Sequence, residues 1–155
     1  MPTTEHHDFA DQPSRQVELS RRIAAEAHEG QTDKAGVAYL HHPEAVAAAF
    51  DPVAEWVQHS AGWLHDVLED TDLTADDLRA AGVAEDVVRV VVLLTRTPEV
   101  PDDEYYRRIR DDDSARRVKL ADLAHNSDPV RRAVLPPETR DRLERKYAKA
   151  RAALA

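Results

Sequence analysis

The chain has 155 residues, 33% of them charged, a formal net charge of −9 and no cysteine. That length suits one hydrophobic core in a single domain. The missing cysteine excludes disulfides, thiolate metal sites and thiol nucleophiles, and the acidic balance argues against broad nucleic-acid binding through phosphate neutralisation.

Residues 1 to 15 are polar, with Pro2, Pro13 and the pair His6-His7, and read as a flexible terminus ahead of a single domain over 16–155. His6-His7 could bind a metal, but an exposed tail is the simpler reading. Val17, Leu19, Ile23, Ala24 and Ala27 predict a helix over 17–27 that Gly30 terminates. A loop carrying Lys34 follows. Pro43 marks the start of a helix to Phe50, because proline is best tolerated in the first helical positions. Val53, Trp56, Val57, Ala61, Leu64 and Leu68 are helically spaced over 53–68, which puts His65 and Asp66 near that helix's C-terminal end. Thr74-Ala75-Asp76-Asp77 reads as a capping box with Asp in place of Glu, opening a short helix that Gly82 closes.

The run Val87-Val88-Arg89-Val90-Val91-Val92-Leu93-Leu94 would permit a strand, but its length and its neighbours favour a buried helix over 84–95. Pro98 and Pro101 set a loop before a helix over 104–110. Ser114 is the expected N-cap of a helix ending near Asn126. Pro129 and Pro136-Pro137 break the chain, and a charged amphipathic helix closes it. There is no repeat and no convincing strand, so the fold class is all-α, a compact helical bundle. No apolar run can span a bilayer and no basic-then-apolar leader is present, so a soluble, cytoplasmic protein without a membrane partner is expected.

The chemistry concentrates at Leu64-His65-Asp66-Val67-Leu68-Glu69-Asp70-Thr71. An imidazole beside a carboxylate on a buried surface is costly unless something binds them, and a divalent metal is the simplest such binder. Suitable partners stand at other helix boundaries. His42 lies in Tyr39-Leu40-His41-His42-Pro43, where His41 competes for the role, and Asp122 lies between Leu120-Ala121 and Leu123-Ala124. His42, His65, Asp66 and Asp122 form a two-histidine, two-carboxylate set suited to Mn²⁺, Fe²⁺, Zn²⁺ or Co²⁺. Glu69 and Asp70 follow His65 and Asp66 by four residues, on the same helical face. Asn126 follows Asp122 by the same interval.

In this order the segments Ala27-His28-Glu29-Gly30-Gln31, Tyr39-Leu40-His41-His42-Pro43-Glu44, Leu64-His65-Asp66-Val67-Leu68-Glu69-Asp70-Thr71 and Val118-Lys119-Leu120-Ala121-Asp122 with Asn126 resemble the HD-domain metal-dependent phosphohydrolases. Within those they are similar to the hydrolase domain of the RelA/SpoT alarmone enzymes and to the small alarmone hydrolases, over about residues 17–130. The resemblance implies an HD-domain bundle holding one divalent ion, Mn²⁺ first among the candidates, on His42, His65, Asp66 and Asp122. The His-Pro step selects His42, since the matching ligand in the family precedes proline. Glu69 and Asp70 take the catalytic role of holding and deprotonating the attacking water. Asn126 is a substrate contact by the same resemblance, with Lys34, Arg22 and Lys119 as candidate phosphate contacts. His28 and His125 could also line the pocket.

The implied substrate is a phosphorylated nucleotide, foremost guanosine 3′,5′-bis(diphosphate) cleaved at its 3′-pyrophosphate. The alternatives are a nucleotide phosphatase acting on nucleoside monophosphates or NADPH, and a non-catalytic nucleotide-binding module. Two stretches depart from the family. Thr32-Asp33-Lys34 stands where an Arg-Lys pair is usual, and Ser127-Asp128-Pro129 where a basic residue usually follows the asparagine.

Overall fold

In the computed structural model, which describes residues 12–155, the chain forms ten helical segments among the described residues: α1 Gln12–Ala27, α2 His41–Ala48, α3 Trp56–Leu64, α4 Val67–Asp70, α5 Ala75–Ala80, α6 Glu85–Leu94, α7 Asp102–Arg110, α8 Asp113–Asn126, α9 Pro129–Ala133 and α10 Pro137–Leu154. The only β pairing among those residues is one antiparallel bridge, Thr32 with Ala38, inside the loop after α1. The class is all-α, as expected. His6-His7 lies outside the described residues.

Helix α3 is the hub, packing against α1, α2, α6 and α8. Its Ala61, Gly62, Trp63 and Leu64 are all buried, so α3 is apolar all round for its last turn, as an element covered on several sides must be. The valine run forms α6, with Val87, Val88, Val90 and Val91 fully buried. Burying both Val87-Val88 and Val90-Val91 leaves Arg89 and Val92 exposed, a helical period that a strand could not produce.

Several boundaries differ from those read in the sequence, most for a local reason. α1 already runs from Gln12, the first described residue, five residues before the expected start at Val17. α3 begins only at Trp56, because the Asp51 carboxylate accepts from the amides of Val53 and Ala54 at 2.9 and 2.8 Å and holds 51–55 in a turn. Asp112 rather than Ser114 caps α8, accepting from the Ala115 amide at 3.0 Å. Pro129 opens a short helix instead of breaking one, and Asp128 caps it through the Val130 amide at 2.8 Å. The Thr74–Asp77 capping box is present with both bonds, at 3.2 and 2.9 Å.

The expected helix over 53–68 is interrupted. After Leu64 the backbone flattens at Asp66, with φ −104° and ψ −1°, and a separate turn, α4, follows. The interruption places His65 and Asp66 at a joint, yet the Asp70 amide still bonds the Asp66 carbonyl at 3.0 Å, so the four-residue relation to Glu69 and Asp70 persists.

α2 crosses α3 at a glycine. A Cβ on Gly62 would lie 2.8 Å from both Cα and N of Ala47, backbone atoms of α2 that cannot rotate away. Gly62→Ala is therefore expected to destabilise the fold by about 2 kcal/mol, overpacking outweighing the better helix propensity of alanine. In a thermal melt that is a fall of roughly 4–8 °C. An unchanged melting temperature would mean that α2 and α3 separate at no cost.

Candidate metal centre and its cleft

α2, the α3–α4 joint and α8 converge their polar side chains on one point. His42 occupies the first turn of α2, His65 the joint, and Asp122 the third turn of α8; all three are buried, at 3%, 3% and 5% relative exposure. His41 is exposed, so the ambiguity within His41-His42 resolves to His42. The Nε2 of His42 lies 2.8 Å from Asp122 Oδ1 and 3.2 Å from His65 Nε2, and His65 Nε2 lies 3.3 Å from Asp122 Oδ1. Asp66 Oδ2 stands at the edge of the group, 3.1 Å from His65 Nε2 and 3.9 Å from His42 Nε2, outside the three residues whose donor atoms are all mutually close.

This donor set fits a divalent ion. Ligand bonds of about 2.0–2.2 Å put adjacent donors about 3 Å apart, which is the spacing seen, and His42, His65 and Asp122 together are able to hold a metal ion. The imidazoles are also aimed for it. His65 Nδ1 donates to the Gly62 carbonyl at 2.7 Å, leaving its Nε2 toward the cluster, the usual way an outer partner fixes the tautomer of a metal-binding histidine. Gly62 thus sets the helix crossing and orients a ligand.

Electrostatics point the same way. Burial works against ionisation throughout, yet the Asp66 and Asp122 carboxylates raise His65 well above the ordinary histidine value. Asp66, despite its burial, is held down to about 2 by His65 and by the Tyr39 hydroxyl, which donates to its Oδ2. Asp122 is likewise held well below its usual range by His42 and His65, burial notwithstanding. His42 is lowered, chiefly by burial and by the neighbouring His65. A site that retains two carboxylates out of water and draws a proton onto an imidazole is one that attracts a cation.

A cleft of about 220 Å³ opens over this cluster, lined in part by Glu69, Arg96, Lys119, Asn126, Arg131 and Lys146. A second hollow of about 280 Å³, containing Lys34 and Arg132, shares Tyr39, Asn126, Arg131 and Tyr147 with it. Small-molecule sites span about 300–1,000 Å³, so neither half suffices alone and the two together do.

Of the residues singled out in the sequence, Glu69 faces the cleft, its carboxylate accepting from the Arg96 amide. Partial desolvation, with repulsion from Asp66, raises the Glu69 carboxyl above its usual range. Asp70 is raised for the same two reasons, but it does not line either hollow. Lys119 donates to Asp122 Oδ2 at 3.1 Å, so it buttresses a carboxylate of the cluster. Asn126 donates to Asp122 Oδ1 at 3.1 Å and accepts from Arg131 at 2.8 Å. Arg22 is not brought to the site: it lies on the exposed side of α1, beside Arg15 and Leu19, two positions and hence about half a turn away from the buried Ser20 and Ala24. His125 stacks on His42, ring centroids 5.0 Å apart, and burial lowers it to about 4. His28 is buried against Tyr39, bonded at Nδ1 to Gln31 at 3.0 Å.

Nothing in the local sequence singles out Arg96, Arg131 or Lys146. Arg96 and Lys146 sit in an ordinary loop and an ordinary charged helix, and Arg131 follows a stretch read as a chain break. They replace positive charge that the 32–34 loop lacks. Among the described residues Lys146 has no hydrogen-bond or ion-pair partner, and partial desolvation plus repulsion from Arg96, Lys119 and Lys34 lowers it.

No family model matches the chain. The bifunctional (p)ppGpp synthase/hydrolase SpoT of Escherichia coli K12 is 31% identical over 147 residues, 86% of this chain and 21% of that protein. A guanosine-3′,5′-bis(diphosphate) 3′-pyrophosphohydrolase of Vibrio cholerae is 32% identical over 156 residues, covering 90% and 22%. The chain therefore spans about a fifth of the length of these curated relatives. A solved structure of a metazoan SpoT orthologue described as hydrolysing ppGpp superposes with a TM-score of 0.71 at 24% identity, over 90% of this chain and 85% of that one, which establishes the fold.

Proposed function

Because this chain is RelA/SpoT-like over most of its length and has the fold of an HD-domain hydrolase, we propose that it is a divalent-metal-dependent phosphohydrolase acting on guanosine 3′,5′-bis(diphosphate) at the 3′-pyrophosphate. The observation that carries this reading is that Glu69 shares one cleft with the His42–His65–Asp66–Asp122 cluster and with Arg96, Lys119 and Lys146. Those are the parts hydrolysis of a phosphate ester requires: a cation site, a carboxylate base and charge to hold the anion.

His42, His65, Asp66 and Asp122 would hold the ion, Mn²⁺ in the first instance. When bound, it supplies Lewis-acid polarisation of a phosphoryl oxygen and makes water more acidic. Glu69 takes the proton of the attacking water as its oxygen bonds to phosphorus. The ribose 3′-oxygen leaves and takes up the proton that Glu69 received, and pyrophosphate is released. Asp70, beside the Tyr39 hydroxyl that also bonds Asp66, supports the position of the joint. Lys34 and Asn126 would contact the nucleoside end from the adjoining hollow. A nucleotide substrate carries with it a cytoplasmic location.

Lys146 is free to bind phosphate, and a charge-assisted bond is worth about 1.5–3 kcal/mol. Lys146→Ala is therefore expected to raise KM at least about tenfold with kcat little changed, the signature of lost ground-state binding. Equal KM in variant and parent would remove Lys146 from the binding site.

One observation favours a simpler substrate. Asp33 in the loop is committed to the amides of Ala35 and Val37 and to Arg131, and leaves Lys34 as the sole cation there. Measuring kcat/KM with Mn²⁺ for guanosine 3′,5′-bis(diphosphate), nucleoside monophosphates and NADPH tests both readings. Pyrophosphate release with the highest kcat/KM on the alarmone is the expected result. Activity confined to monophosphates or NADPH would overturn the alarmone assignment, and none at all would leave a nucleotide-binding module.

A further inference from the structure

Arg131 stands where the metal cluster meets the adjoining hollow. Its Nη1 donates to Asn126 Oδ1 at 2.8 Å and lies 3.1 Å from Nδ1 of His125 and 3.3 Å from Nδ1 of His42. Its Nη2 faces Asp33 Oδ2 at 3.4 Å, both side chains being largely covered. Asp33 spends its other oxygen on the loop, accepting from the amides of Ala35 and Val37 at 2.9 and 3.0 Å. One guanidinium thus joins the loop that carries Lys34 to the back of His42, and to the asparagine that bonds Asp122.

The hydrogen-bond logic of this chain is restrictive. For His42 to present the lone pair of Nε2 to the cluster, its proton must sit on Nδ1 and must find an acceptor. His125 Nδ1 is 2.7 Å away, and it accepts only when its own proton is on Nε2. A guanidinium has donors and no acceptor. Arg131 Nη1 lies nearer His125 Nδ1, at 3.1 Å, than His42 Nδ1, at 3.3 Å, so it favours a lone pair on His125 Nδ1 over an N–H there, and the 2.7 Å contact between the two imidazoles is left to the His42 proton.

We propose that Arg131 is a positioning residue: held by Asp33, it keeps His125 as an acceptor, fixes His42 in the metal-binding tautomer, and so links the order of the Lys34 loop to retention of the metal ion. The proposal rests on His42 being a ligand, as the functional reading has it. It assigns to Asp33, which lies outside contact with the cluster, an effect on metal affinity that a plain loop-turn residue would not have.

The test measures Mn²⁺ affinity by competition with a chromophoric chelator for the parent chain, Arg131→Met, Asp33→Asn and the double variant, with thermal melts of the metal-free proteins. Asp33→Asn keeps an oxygen for the two loop amides and removes only the charge that holds Arg131. Arg131→Met is expected to weaken Mn²⁺ binding about tenfold or more, the usual scale for losing an outer partner of a ligand, and Asp33→Asn to weaken it by a smaller factor. The double variant should bind no more weakly than Arg131→Met alone, since both act through one contact. An Arg131→Met affinity within twofold of the parent overturns the proposal, as does a double variant in which the two factors multiply. If Arg131→Met fails to fold, Asp33→Asn decides alone: a loss supports the proposal and an unchanged affinity overturns it. Variants that show these losses in a parent that hydrolyses none of the phosphate esters overturn the catalytic reading and leave this inference standing; a parent without Mn²⁺ affinity overturns both.

Discussion

His65→Gln and Asp122→Asn are expected to bind no Mn²⁺ at concentrations that saturate the parent and to lose activity by about 10³-fold or more, because several kcal/mol of transition-state charge stabilisation goes with the ion. These substitutions keep shape and some hydrogen bonding, so the loss is separable from unfolding. The structure adds a second expectation. In the metal-free parent, His65 is drawn toward its protonated form by Asp66 and Asp122, so His65→Gln removes the positive partner of the buried Asp122 and the partly covered Asp66. Without metal it should melt below the parent, since leaving a buried charge uncompensated costs about 3–5 kcal/mol at the extreme. Asp122→Asn removes one of the two negative charges and should melt closer to the parent. Metal content by elemental analysis, phosphate release and paired melts check all three points. Undiminished Mn²⁺ in both variants would take the ion away from this cluster.

How much of this was legible in the sequence depends on what each residue's neighbours are. His65-Asp66 and Asp122 stood out because a polar group among apolar ones must have a partner, and that requirement is visible in one dimension. The long-range partner is not: only the fold shows that the α3–α4 joint and α8 bring His65 within 3.3 Å of Asp122. The four-residue spacing carried Glu69 correctly to the cluster, although the joint at Asp66 was not foreseen, because Leu64, Val67 and Leu68 keep a helical rhythm straight across it. Arg22 shows the opposite error. A basic residue near a recognised segment drew a functional reading, while the face on which it sits points elsewhere. Arg131 carries no signal in the sequence because prolines on both sides, Pro129 and Pro136, read as a break, whereas Asp128 capping turns the first of them into a helix start. Cationic residues of the cleft and its adjoining hollow come from five separate stretches, those of Lys34, Arg96, Lys119, Arg131 and Lys146, so no window of sequence could display the positive field against a net charge of −9.

The other large effect is expected at Glu69. Glu69→Gln should leave Mn²⁺ affinity and the melting temperature near those of the parent while lowering kcat by about 10²-fold or more, the scale of a lost general base. The geometry predicts an inequality that the sequence could not. Glu69 faces the cleft, whereas Asp70 lies to one side by Tyr39, so Asp70→Asn should cost less than Glu69→Gln and should act partly through the Tyr39–Asp66 contact. A pH signature separates a base from a bystander. The base works ionised, so at saturating Mn²⁺ the parent's kcat should fall as pH drops through the titration of the Glu69 carboxyl, which partial desolvation raises and the charge of a bound ion lowers. In Glu69→Gln that limb should vanish, because no carboxylate remains there to be protonated. Unchanged turnover in both Glu69→Gln and Asp70→Asn would make the pair a solvated edge of α4 and send the search for the base to the other groups lining the cleft.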